Sequence, residues 1–101
     1  MAVIERLTQK IFPGKWDALE AIDKKYTAVE NRLGWPAKKR YRCMIGGHDV
    51  STLVVERQWP SLAVFEAAYD KAWADPAWQA LSAESDGIIA STQMELFAPL
   101  P

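Results

Sequence analysis

The single histidine of the chain lies in a short polar segment with residue types that can perform catalysis. His48 is followed by Asp49, and Ser51 comes two residues later, so the components of a nucleophilic triad occur close together. A working triad needs side chains that converge on a pocket from separate elements, whereas neighbours in one turn generally point apart. We therefore interpret His48 as a turn residue.

A metal centre is also disfavoured by the residue types present. Cys43 is the only cysteine and His48 the only histidine, so zinc sites made of several such side chains are excluded by counting. No second His or Cys stands at helical i,i+4 or strand i,i+2 spacing from either residue. We expect no metal and no other cofactor.

The one basic cluster, residues 38–42, contains two candidate ligand-binding residues. Alternation along a strand would place Arg42 on the same face as Lys38 and Arg40, where it could bind a carboxylate or a phosphate. Edge strands also carry Lys and Arg to prevent pairing with other chains, so both interpretations stay open. Tyr41 adds a titratable group to the same segment.

Three further candidates come from the other strands. Arg6 and Glu56 are expected on the sheet face opposite Leu7, either as a cross-strand ion pair in a dimer interface or as part of a ligand cavity. Of the five tryptophans, Trp59 at a strand end is expected near the mouth of a cleft. Trp73 is assigned, like most large aromatic residues at helical spacing, to the core.

A single domain covering residues 1–101 must position these groups. Half of the residues are hydrophobic and a quarter are charged, as in ordinary globular proteins, and the net charge of −1 provides no general attraction to nucleic acid or anionic membranes. No apolar run reaches the length of a membrane span, and charged residues precede any run of signal-peptide length. We expect a cytoplasmic protein without nucleic-acid or membrane partners.

Hydrophobic spacing predicts the element order β-α-β-β-α-β. Strands are predicted at residues 3–12, 37–45, 50–59 and 91–97, with a four-residue turn at 46–49. The first helix begins at Trp16 and carries an apolar stripe at three-and-four spacing. Ser61 is expected to cap the second helix, and Asp75 a short additional helix that starts at a proline.

This order is that of the ferredoxin-like split βαβ fold, an α+β fold in which helices cover one face of a four-stranded antiparallel sheet. The first and third strands are then central. Because the run Leu53-Val54-Val55 is apolar on both faces, the uncovered face needs a second cover, and the same face of a second copy provides it. We predict a homodimer. RNA binding is disfavoured because the exposed positions of the central strands lack stacking aromatics.

Three segments, Leu53–Trp59, Ser61–Glu66 and Asp75–Leu81, resemble the dimeric α/β-barrel superfamily, which includes antibiotic-biosynthesis-type monooxygenases, EthD-like proteins and NIPSNAP-like small proteins. The resemblance implies a dimeric α/β barrel. It implies no single reaction, because members include cofactor-free oxygenases, haem-degrading enzymes, isomerases and proteins without known activity. The Asn, Trp and His combination of the haem-degrading members is not reproduced at matching places, since Asn31 lies in the first helix and His48 in a turn.

These observations together predict a homodimer that binds a small organic molecule in a cleft between sheet and helices. One alternative is a cofactor-independent monooxygenase or isomerase, for which Glu56, Arg42 and Tyr41 are the available titratable groups. A second alternative is a purely structural dimer with a filled interior. The sequence does not decide whether the protein is an enzyme.

Overall fold

Four antiparallel strands form one sheet, and three helices pack on one of its faces. The computed structural model describes residues 1–101. In chain order the elements are β1 (Val3–Ile11), α1 (Trp16–Arg32), β2 (Lys38–Arg42), β3 (Thr52–Trp59), α2 (Leu62–Trp73), α3 (Pro76–Ser85) and β4 (Ile89–Phe97). The strand order is β2-β3-β1-β4, so β1 and β3 are central. The predicted α+β ferredoxin-like fold is confirmed.

Alternation along the central strands separates the two faces of the sheet. Leu7 of β1 lies opposite Val55 of β3; Val55 belongs to the apolar core under the helices, and the partly buried Leu7 packs against it. Their neighbours Arg6 and Glu56 lie opposite each other on the other side. We call these two sides the helix face and the outer face. No helix of this chain packs on the outer face.

The helices begin where their capping residues predict. The side chain of Ser61 accepts a hydrogen bond from the backbone N–H of Val64 at the start of α2. Asp75 accepts from the N–H groups of Ala77 and Trp78 at the start of α3. None of the helices has the combination of length and apolar character that crossing a membrane requires.

The connection between β2 and β3 is longer than predicted. β2 ends at Arg42 instead of residue 45, and residues 43–51 form a loop. The carboxylate of Asp49 organises the end of this loop by accepting hydrogen bonds from the backbone N–H and the hydroxyl of Ser51. These bonds, together with the contact of Lys10 with the same carboxylate, hold the pKa of Asp49 low, at about 2. The loop replaces the predicted four-residue turn because its side chain to backbone bonds compete with strand pairing.

Candidate functional site

A cavity of about 460 Å³ lies between the helix face of the sheet and the helices. Its walls are mainly apolar and aromatic, and include Leu7, Ile22, Tyr26, Trp35, Val55 and Trp78. The volume falls within the roughly 300–1,000 Å³ of ordinary small-molecule pockets. The cavity is therefore large enough to hold a small organic molecule.

Aromatic rings that contact one another shape one side of this cavity. Trp35 follows α1, and its ring centroid lies 4.9 Å from that of Trp78 in α3 and 4.8 Å from that of Tyr69 in α2. Tyr26 of α1 meets Trp78 edge to face at 5.2 Å. Such pairs are mutually stabilising, so the rings fix the positions of three helices relative to one another. Burial raises the pKa of Tyr26 and keeps its phenol neutral.

Charged side chains are buried behind and beside this apolar wall. Glu5, Glu30 and Arg57 are 1%, 7% and 4% exposed, respectively. A charge so far from water is tolerated only when opposite charges and hydrogen bonds compensate for the lost hydration. Of these three residues, Glu30 and Arg57 line the cavity, so their contacts determine what its polar end can bind.

Glu5 is satisfied on both carboxylate oxygens. Its Oε1 accepts a hydrogen bond from the indole Nε1 of Trp59 at 2.9 Å, and its Oε2 accepts one from the hydroxyl of Tyr69. Burial, together with the adjacent Glu5 carboxylate, raises the pKa of Tyr69 well above its usual value. Tyr69 is thus a hydrogen-bond donor across the accessible pH range.

Arg57 connects Glu5 to Glu30. Its Nε donates to the carbonyl oxygen of Pro36 at 2.8 Å, one terminal nitrogen donates to Oε1 of Glu30 at 2.8 Å, and the other lies 3.9 Å from Oε1 of Glu5. The guanidinium also stacks 4.9 Å from the ring centre of Trp35. Arg57 is therefore held by partners on several sides.

Lys38 extends the array toward the sheet edge. Its Nζ donates to Oε1 of Glu30 at 3.0 Å and lies 2.9 Å from Oδ1 of Asp23. Charges of alternating sign thus run through Glu5, Arg57, Glu30, Lys38 and Asp23, which we call the charge chain. At its exposed end, Arg40 forms two hydrogen bonds with Glu20, which lower the pKa of Glu20.

The five candidate ligand-binding residues of the sequence do not line this cavity. Arg6 and Glu56 form an ion pair at 2.7 Å on the outer face, as the cross-strand interpretation predicted. Tyr41 lies on the outer face of the edge strand β2, half exposed. Arg42 is exposed and stacks 4.1 Å from the ring centre of Trp16 while donating to the carbonyl oxygen of Val50.

Trp59 lies in the core instead of at the mouth of a cleft. It is 1% exposed, because its Nε1 is bonded to Glu5 and its ring packs against Phe65. Conversely, Trp73, which the sequence predicts in the core, is 55% exposed at the end of α2, where it lines the cavity. The structure thus places Trp59 in the core and Trp73 at the cavity, the opposite of the sequence prediction.

The buried charges were missed although the sequence carries a signal for them. Glu5 stands between Val3 and Leu7 in the apolar alternation of β1, and Arg57 stands between Val55 and Trp59 in that of β3. A charge at such a position is predicted to face the core.

No three His, Cys, Asp or Glu side chains come together as metal ligands would.

Comparison with known proteins identifies relatives by family and by fold. A family model described as NIPSNAP matches residues 8–101. Among curated proteins, none matches the sequence.

Solved structures share the fold at low identity. A NIPSNAP family protein from Agrobacterium tumefaciens is 21% identical, with a TM-score of 0.83 over 98% of this chain and 86% of the other. An uncharacterised NIPSNAP-like domain protein from Burkholderia xenovorans is 13% identical, with a TM-score of 0.84 over 98% and 85%. A mutant of SnoaB, a cofactor-independent oxygenase from Streptomyces nogalater, is 14% identical, with a TM-score of 0.73 over 97% and 92%.

Proposed function

The chain belongs to the NIPSNAP family, and from the geometry of its interior we propose that it binds a small organic molecule in the cavity between the sheet and the helices. The observation that carries this proposal is the 460 Å³ cavity itself, with aromatic walls and a charged end. A protein with only a structural role would gain stability by filling such a space, because empty apolar volume costs packing energy.

We further propose that the functional unit is a homodimer joined through the outer face. Ile4, Val54 and Phe97 give this face apolar surface, and Phe97 is 38% exposed in the single chain. The half-exposed ion pair of Arg6 with Glu56 would lie within the interface. Arg42, Tyr41 and Trp59 as ligand contacts, and the cytoplasmic location, remain predictions from the sequence.

Binding can be tested with N-phenyl-1-naphthylamine, a neutral dye that fluoresces strongly in apolar surroundings. The unaltered protein is expected to bind it, and Ser82→Phe should weaken binding at least tenfold because Ser82 lines the cavity. The matched control is Ala83→Phe, the next residue of α3, which is exposed and does not line the cavity. Equal binding by the two variants would place the dye elsewhere and contradict the proposal.

A cofactor-independent oxygenase is the second candidate, favoured by the fold shared with SnoaB. The cavity would then hold the substrate away from water while oxygen reacts with it. The test begins with native mass spectrometry of the purified protein, to find a small molecule carried along from the cell. Oxygen uptake on adding that compound to metal-free protein would support an oxygenase, and unchanged compound after prolonged incubation would leave a binding protein.

A further inference from the structure

We infer that the cavity selects a neutral aromatic molecule whose hydroxyl group donates a hydrogen bond to Glu30, and that it rejects carboxylates of the same shape. This inference rests on the proposed ligand-binding function and names the chemical class of the ligand. It follows from which polar atoms beside the cavity are already used and which are free.

Both cations beside the cavity are already compensated. Arg57 donates to Glu30 and to the carbonyl of Pro36, and its remaining nitrogen faces Glu5. Lys38 lies between Glu30 and Asp23, within 3.0 Å of an oxygen of each. Although Arg and Lys suggest an anion site, the charge of each cation is already matched by carboxylates of the protein, so an incoming carboxylate gains less from either than from an unpaired cation.

One carboxylate oxygen of Glu30 is bonded by neither cation. Lys38 and Arg57 both donate to Oε1 of Glu30, so Oε2 receives a hydrogen bond from neither. Glu30 lines the cavity and is nine-tenths buried, where a hydrogen bond to a charged acceptor is strong. Asp23 and Asp86 also line the cavity. A ligand hydroxyl therefore finds an acceptor, whereas a ligand carboxylate meets like charges.

The walls set the shape of the rest of the ligand. Tyr26, Trp35 and Trp78 offer aromatic surface to a planar ring, and Ile22 and Val55 add aliphatic surface. A bicyclic ring bearing one hydroxyl combines the two requirements of an apolar body and a single donor.

Three probes that differ in one substituent test this inference by calorimetry at pH 7: naphthalene, 2-naphthol and 2-naphthoate. On the unaltered protein, 2-naphthol should bind about tenfold more tightly than naphthalene, the typical effect of one hydrogen bond to a charged group. 2-Naphthoate should bind more weakly than naphthalene. Equal binding of 2-naphthol and naphthalene, or tightest binding of 2-naphthoate, would overturn the inference while leaving a ligand cavity in place.

A variant pair assigns the effect to Glu30. Glu30→Gln should reduce the advantage of 2-naphthol over naphthalene to about twofold, because a neutral amide is a weaker acceptor. Glu20→Gln, which alters an exposed carboxylate outside the cavity, should preserve it. A preserved advantage in folded Glu30→Gln would overturn the assignment. If Glu30→Gln does not fold, the ranking on the unaltered protein decides the ligand class.

The dye experiment separates this inference from the proposed function. If N-phenyl-1-naphthylamine enters the cavity but none of the three probes binds, the inference about the hydroxyl fails and the cavity remains a binding site. If neither the dye nor the probes bind, the proposed function fails as well.

Discussion

Two neighbouring residues of β3, Glu56 and Arg57, form ionic contacts on opposite faces of the sheet. These contacts differ in how deeply they are buried and in how many partners they involve. Arg57, on the helix face, is 4% exposed and has partners in β1, α1 and the segment after α1. Glu56, on the outer face, meets Arg6 in a single ion pair, with the two side chains 27% and 42% exposed. Successive side chains of a strand point to opposite faces, so a shift of one residue decides whether a charge lies in the core or near water.

The charges on the two faces also depend on one another to different degrees. On the helix face each buried charge depends on the next one in the charge chain, so removing one leaves others uncompensated. On the outer face either partner can be hydrated when the other is removed, at least in the single chain. Stability and ligand selection should therefore depend mainly on the helix face, and assembly on the outer face.

The largest effect is expected from Arg57→Met. The substitution leaves Glu5 and Glu30 without their shared cation and should lower the free energy of unfolding by about 3–5 kcal/mol. Urea unfolding followed by circular dichroism measures the change. The matched variant on the outer face, Arg6→Met, should change the free energy of unfolding of the single chain by less than about 1 kcal/mol, so both variants are compared in the monomeric Val54→Asp background. Equal losses would show that the two faces do not differ as proposed.

Val54→Asp should act on assembly instead of on the fold of the single chain. Val54 is half-buried on the outer face, so a carboxylate there would be desolvated in the proposed dimer and should weaken it about a hundredfold. Sedimentation at micromolar concentration should give twice the chain mass for the unaltered protein and a largely monomeric variant. A monomeric unaltered protein would remove the dimer proposal altogether.

Tyr69→Phe should have a smaller effect than either change. It removes the hydroxyl that donates to Oε2 of Glu5, leaving a buried acceptor unsatisfied, and should cost about 1–3 kcal/mol. Thermal and urea unfolding both measure this loss. An unchanged stability would mean that water replaces the hydroxyl, and that Glu5 is less isolated than its 1% exposure indicates.

The same variant predicts a change in alkaline pH dependence. Because folding raises the pKa of Tyr69 above its ordinary value of 10.0, only the unfolded chain releases the phenol proton as the pH first exceeds 10. The free energy of unfolding should therefore fall with rising pH in this range. Tyr69→Phe should make this fall shallower, while Tyr26 keeps a remaining contribution. A slope unaffected by the substitution would contradict this assignment.

Much of the fold could be predicted because its signals are local. The caps at Ser61 and Asp75 and the apolar stripe of α1 depend on neighbouring residues alone, and the structure places all three as predicted. The pairing of Arg6 with Glu56 followed from knowing that β1 and β3 are adjacent and from counting alternation. The order of the strands and the alternation of side chains along them were sufficient to predict this pairing.

The site could not be predicted in the same way because it depends on contacts between distant segments. Arg42 and Tyr41 are candidates from the sequence because their side chains are charged or titratable. In the structure both are exposed, and the cavity lies where α1 and α3 face the sheet. Glu30 lies in the last turn of α1, in an otherwise ordinary helical pattern, and only its contacts with Arg57 and Lys38 give it significance. Such contacts between distant side chains depend on how whole helices pack against the sheet.

The pairing of β1 with β4 has a consequence for how the protein forms in the cell. β1 occupies the centre of the sheet, but its partner β4 is the last strand of this fold in chain order, so Leu7 can pair with Met94 only after all the elements between them have been synthesised. Contacts between such distant parts of a chain form slowly. Ile89 and Met94 also line the cavity, so the proposed binding site is complete only after β4 has been translated.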